Sequence, residues 1–225
     1  MPIIGIVARP SDNKKEKYYY VSDNLRRAVI KSGGIPLAIL STDKRIYELD
    51  KHIENKLDEE TKTNLDKVLS LCDGIIFQGG SKFYPTDKYI AKYVIENDIP
   101  ALGICLGMQL LNHADNHEKS ILIKIDKHLD NNKYVHEIDI FKDTLLSNIL
   151  NKEKIKVNSR HRLAILKLNN FKVCAKSKDK LIESIYYPGK RFILGVQFHP
   201  EDMYFYDENA RLIFKRFIEE CQNVR

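Results

Sequence analysis

No stretch of this 225-residue sequence is apolar for anything near the roughly 20 residues that a membrane helix needs. The first apolar run, Ile3 to Ala8, stops at Arg9 and Pro10, is too short for a signal-peptide core and has no basic stretch before it. A cytoplasmic location without a membrane partner is therefore expected. Cysteine is scarce. Cys72, Cys105, Cys174 and Cys221 lie far apart with no C-x-x-C spacing, which argues against a zinc site and a disulfide framework. Each is left as a small buried hydrophobe or a reactive thiol. Charge of one sign is also scarce, because 37 basic residues are interleaved with 31 acidic ones for a net +6. A nucleic-acid binder would concentrate such an excess in a stripe. Runs such as Lys14-Lys15-Glu16-Lys17 and Lys176 to Lys180 read as solvated surface instead. Internal repeats and low-complexity linkers are missing, and the length suits one domain over residues 1–225.

What the sequence does contain is an alternation of short β-branched runs with helical stripes, the pattern of a mainly parallel sheet covered by helices. Strands are predicted at Ile3 to Ala8, Ile35 to Leu40, Gly74 to Phe77 and Ala101 to Ile104. Between them, Val21, Leu25, Ala28 and Val29 share a helical face that ends at Gly33-Gly34. Leu65, Val68, Leu69 and Cys72 form a second stripe, and Ile90, Ala91, Val94 and Ile95 a third. The second half is richer in strands, at Tyr134 to Phe141, Leu163 to Leu168, Phe171 to Ala175, Leu181 to Tyr186 and Phe192 to Phe198, with turns at Asn169-Asn170 and Pro188-Gly189. Ala210, Ile213, Phe214, Phe217, Ile218 and Cys221 mark the last helix. His113 to Asn132 is polar and reads as a loop-rich excursion. His113 and His117 have the spacing of a metal-binding helix but no evident third ligand, so both are expected on the surface and no metal or other cofactor is expected.

Two segments carry chemistry. In Gly103-Ile104-Cys105-Leu106-Gly107-Met108-Gln109 a cysteine follows a buried strand and precedes a helix. A nucleophile at such an elbow is pushed out over the sheet end, and the helix N-terminus favours its thiolate. The Leu106 N–H is placed for a developing oxyanion. In Gly195-Val196-Gln197-Phe198-His199-Pro200-Glu201, His199 and Glu201 stand two apart and point the same way in extended backbone. The carboxylate can then hold one imidazole nitrogen and leave the other for a thiol.

Together these segments closely resemble the class I glutamine amidotransferase family, marked by G-x-C-x-G-x-Q and a distal H-P-E. The resemblance runs through "PIIGIVARP", "SGGIPLAIL", "DGIIFQGG", "LGICLGMQLLN", "VNSRH" and "ILGVQFHPE" in the expected order. Within the family the likeness is greatest to γ-glutamyl-γ-aminobutyrate hydrolases and related stand-alone peptidases. It implies a three-layer αβα sandwich, with Cys105 as nucleophile, His199 as base and acid, and Glu201 as the orienting carboxylate. Gln109 is implied as a contact to the glutamyl group, and Gly79 and Gly80 as the glycine loop whose N–H, or that of Ser81, completes the oxyanion hole. The implied reaction is hydrolysis of a γ-glutamyl amide through a cysteine thioester. The alternatives are a glutaminase subunit feeding ammonia to a separate synthetase, and a non-catalytic regulatory protein on the same fold. The expected partner is a small γ-glutamyl substrate, with a homodimer left open.

The sequence also departs from the family. Lys82 replaces the acidic residue of G-G-x-D, the segment Phe83 to Pro100 is short, and V-N-S-x-H-H-Q becomes Val157-Asn158-Ser159-Arg160-His161-Arg162-Leu163. These changes touch the leaving-group side of the site. Arg160, His161 and Arg162 are expected to bind substrate there, and Lys82, Arg160 and Arg162 to favour an anionic amine.

Overall fold

The computed structural model of the chain describes residues 1–11, 18–44, 56–116, 122–126 and 128–222. Its centre is a nine-stranded sheet. The strands are β1 (Ile3–Val7), β2 (Ile35–Ile39), β3 (Gly74–Phe77), β4 (Ala101–Ile104), β5 (His136–Ile140), β6 (Lys154–Val157), β7 (Lys172–Ser177), β8 (Ile182–Tyr186) and β9 (Ile193–Val196). Their order is β6-β5-β7-β8-β9-β4-β3-β1-β2. The strands from β9 to β2 run parallel. β8, β7, β5 and β6 extend the sheet antiparallel.

The helices are α1 (Asp23–Lys31), α2 (Glu59–Leu69), α3 (Pro85–Glu96), α4 (Leu106–Asp115), α5 (Leu145–Leu150), α6 (Pro200–Met203) and α7 (Glu208–Gln222). Side chains alternate across a strand, so each central strand supplies two cores. Ile4, Ile6, Leu102 and Ile104 pack with α1, α5 and α7, whereas Ile75, Phe77 and Ala101 pack with α2, α3 and α4. That makes the three αβα layers the sequence implies. The parallel strands aim their carboxyl ends at one edge, where such sheets place their sites.

Among the elements that escape sequence reading are α5 and β6. α5 is only 6 residues long, and its start depends on Thr144 Oγ1 accepting the Ser147 N–H at 3.3 Å. β6 reads Lys-Ile-Lys-Val, an alternation easily taken for charged surface, yet it buries Ile155 and Val157. The expected excursion from His113 also needs correction. α4 continues to Asp115, and His113 is buried in it with its ring centroid 5.1 Å from that of Phe83. His117 lies outside the described residues. Further on, Leu122–Lys124 pairs with Leu163–Ile165, and Leu129–Asp130 with Ser159–Arg160. The segment is therefore pinned at two places, and the strand expected at Leu163 to Leu168 belongs to this side ribbon rather than to the main sheet.

Candidate active site

β4 ends at Ile104 and α4 begins at Leu106, so Cys105 alone makes the turn. Its backbone sits at φ 52° and ψ −105°. For a non-glycine residue such a conformation costs on the order of 1–3 kcal/mol and must be held by its surroundings. The holding is visible. The Cys105 N–H donates to Val196 O at 2.8 Å, and its carbonyl accepts from Met108 and Gln109 at 3.1 and 3.3 Å. A Cβ on Gly107 would lie 2.1 Å from Phe77 O, and one on Gly103 2.7 Å from Gly107 O. Both glycines are therefore required for α4 to sit so close to the sheet. The N–H groups of Leu106 and Gly107 are the first of the helix and have no acceptor within it, beside Cys105, which retains 8% exposure as a residue.

β9 ends one turn away, and His199 caps the short α6, whose first residue is Pro200. His199 Nδ1 lies 2.8 Å from Glu201 Oε1, with 13% and 6% of the two side chains exposed. Burial disfavours the imidazolium, but the Glu201 carboxylate and the Cys105 sulfur on its other side outweigh this and raise His199 to about 10. The ring is thus suspended between a carboxylate and a thiol. Its backbone is fixed by a residue to which sequence reading gave no role: Asn158 Oδ1 accepts the His199 N–H at 2.8 Å, and Asn158 Nδ2 donates to His199 O at 2.9 Å. The "VNSRH" run contained this clue, since a buried amide at a strand end needs partners for both its donor and its acceptor.

The glycine loop lies against the pair. A Cβ on Gly79 would meet His199 Cε1 at 2.8 Å and Cys105 Cβ at 3.7 Å. One on Gly80 would meet Leu106 Cδ2 at 3.1 Å and Arg9 Nε at 3.2 Å. Ser81 is exposed. Two further residues that sequence reading passed over hold this loop. Gln78 accepts the Ser22 N–H and donates to Val7 O and Tyr20 O. Arg9 forms a buried ion pair with Asp87 and donates to Gln78 O at 3.2 Å.

The remaining expected residues divide. Gln109 is buried, and its amide donates to Leu163 O and to Gln197 Oε1, both at 3.1 Å, so its donor end is committed to the core. Of the three cations expected to favour an anionic amine, Arg160 has its guanidinium ion-paired with Asp202. Lys82 and Arg162 are exposed. His161 is buried, donates through Nδ1 to Leu163 O at 3.0 Å and turns Nε2 toward Glu183 rather than toward the thiol. No helix among the described residues is long and apolar enough to cross a membrane.

Comparison with known proteins bears on the family and the fold. The Peptidase C26 family model matches residues 85–201, more than half of the chain. A glutamine amidotransferase-like protein of Rickettsia prowazekii is 26% identical, with 99% of each chain covered. The CTP synthase of Staphylococcus saprophyticus is 30% identical over 79% of this chain, which spans only 40% of that enzyme. Two solved structures share the fold. A protein assigned as a GMP synthase subunit from Thermoplasma acidophilum has a TM-score of 0.66 at 20% identity, covering 99% of this chain and 95% of its own. The acivicin-bound glutaminase domain of Trypanosoma brucei CTPS has a TM-score of 0.69 at 16% identity, covering 100% and 95%.

Proposed function

We propose, from the premise that this chain belongs to the Peptidase C26 family of class I glutamine amidotransferase-like proteins, that it hydrolyses γ-glutamyl amides with Cys105 as nucleophile. The observation that carries this reading is the strained Cys105 elbow facing a His199–Glu201 pair at 2.8 Å. The Cys105 thiolate adds to the amide carbonyl. The oxyanion takes hydrogen bonds from the Leu106 N–H and from the Gly79-Gly80 loop. The C–N bond breaks as the His199 imidazolium gives its proton to the leaving amine, and a γ-glutamyl thioester remains. Water then loses a proton to neutral His199 and attacks the thioester. The C–S bond breaks, glutamate leaves, and the thiolate–imidazolium pair returns. Glu201 keeps the ring oriented and stabilises its charge throughout.

A second reading has its own support. The CTP synthase relatives carry a comparable segment as about two fifths of a larger enzyme, so this chain would act as a glutaminase that hands ammonia to a separate synthetase. The deciding assay supplies purified protein with glutamine and with a panel of γ-glutamyl amines, and measures glutamate release, with Cys105→Ala as control. Turnover of γ-glutamyl amines above glutamine supports the stand-alone hydrolase. Turnover of glutamine that rises only with a synthetase present supports the second reading. Absence of both turnover and Cys105 acylation removes both.

A further inference from the structure

On the antiparallel side of the sheet, beyond the strand that leads into Gln197, four titratable side chains from four segments meet. Glu183 of β8 is fully buried, His128 precedes the Leu129–Asp130 ribbon, His136 opens β5, and His161 follows Ser159–Arg160. Three imidazole nitrogens surround one carboxylate oxygen. His136 Nε2 is 3.2 Å, His128 Nδ1 3.4 Å and His161 Nε2 3.6 Å from Glu183 Oε1. None of the three contacts has hydrogen-bond geometry, so these nitrogens and both Glu183 oxygens are buried without a hydrogen-bond partner. A buried polar group in that condition costs about 1–3 kcal/mol, more if charged.

The outer partners fix where the lone pairs point. His128 Nε2 lies 3.0 Å from Asp179 Oδ2, and a carboxylate only accepts, so that nitrogen carries the proton and Nδ1 is the lone-pair atom in the neutral ring. His161 Nδ1 faces the Leu163 carbonyl at 3.0 Å, which by the same reasoning leaves Nε2 as the lone-pair atom. Two lone pairs thus aim at a carboxylate oxygen, an arrangement that calls for positive charge between them. One extra proton beside Glu183 would serve one ring, whereas protonating more than one packs like-charged rings whose centroids are 4.5 and 4.9 Å apart. A divalent ion supplies it with every ring neutral.

We infer that His128, His136 and Glu183 form a three-ligand binding site for a divalent transition-metal ion of the zinc class. Their ligand atoms lie within 4.8 Å of one another. Zinc–nitrogen and zinc–oxygen bonds of about 2.0–2.2 Å in a tetrahedron put neighbouring ligand atoms roughly 3.3–3.5 Å apart, close to the separations seen here. The Asp179–His128 contact is the outer carboxylate that metal-bound histidines usually have, and Ser177 Oγ holds Asp179 in turn at 2.6 Å. Imidazole and carboxylate donors suit zinc, cobalt or nickel better than calcium or magnesium. Entry is from the side of His136, whose side chain is 20% exposed. The ion would staple the 122–130 segment to β5, β8 and the segment that follows Asn158, the residue clamping His199. Sequence reading had no cue to such a site, because two histidines eight residues apart with a carboxylate from a distant strand leave no spacing signature.

The test uses tag-free full-length Cys105→Ala protein, so that the catalytic thiol takes no metal. The protein is stripped with a chelator and titrated with Zn²⁺ and Co²⁺. Metal content by mass spectrometry and the Co²⁺ absorption spectrum are read in this background and with His136→Asn or Glu183→Gln added. The expected result is one ion per chain, a Co²⁺ spectrum without thiolate charge transfer, and a melting midpoint that falls on chelation. Adding His136→Asn abolishes all three, and its partly exposed position keeps the test valid if Glu183→Gln fails to fold. Equal metal binding with and without His136→Asn overturns the site, as does loss of the ion in His199→Ala, which would place it at the His199, Glu201 and Asp202 group instead. Protein that takes up no ion overturns it as well.

Discussion

Gly79 leaves no room for a side chain beside the proposed catalytic histidine, and Gly79→Ala turns that into a measurement. The added Cβ would stand 2.8 Å from His199 Cε1, where ordinary contact begins at about 3.4 Å, so the ring must retreat by about 0.6 Å. The Gly79 backbone is one that alanine can adopt, and the unfolded-state effect of Gly→Ala stabilises by about 0.4–1 kcal/mol. Against this stands a weakened His199–Glu201 hydrogen bond, worth about 1–2 kcal/mol. The melting midpoint should therefore move by only a few degrees. Catalysis should respond more strongly, since a misplacement near 1 Å costs on the order of 10²-fold. A kcat lowered roughly 10- to 100-fold with KM little changed is expected, about 1.4–2.7 kcal/mol of transition-state stabilisation. Steady-state kinetics on a γ-glutamyl amide and the rate of Cys105 alkylation read the effect independently. Wild-type values of both in Gly79→Ala would refute the placement of His199 as the proton-transfer group.

Two more predictions follow from the same geometry. Brief iodoacetamide treatment and peptide mapping should find Cys105 labelled first, because it alone stands at a helix N-terminus beside His199, while burial pushes the Cys174 thiol up to about 11 and Cys221 higher still; equal labelling of all four would remove the nucleophile. Glu201→Gln should lower kcat while largely preserving KM, and should bring His199 down from about 10. A raised histidine contributes stability that is fully present below its ordinary 6.5 and is lost as pH rises through about 10, so wild-type melting temperature should fall between those values and the variant's should fall less. Identical pH–melting curves for the two proteins would show that Glu201 does not hold the imidazolium.

Sequence alone determined the αβα layering and the identity of the Cys105, His199 and Glu201 candidates. Both are local signals: apolar runs of period 2 and 3.6 name their own elements, and an elbow or a two-residue offset in a strand fixes direction within a few residues. Tertiary structure alone decided which distant polar groups meet. Asn158 clamps His199 from 41 residues away, and Arg9 and Asp87 pair beneath the glycine loop from 78 residues away. Nothing in either local sequence specifies the other, because such pairs are selected by the requirement that buried donors and acceptors find partners once the sheet has brought their strands together. The same reason took Arg160 out of the expected cation cluster and into an ion pair with Asp202, and turned His161 away from the thiol toward Glu183. Charge in a sequence is only potential; the fold decides which charges are neutralised by a neighbour and which face a ligand.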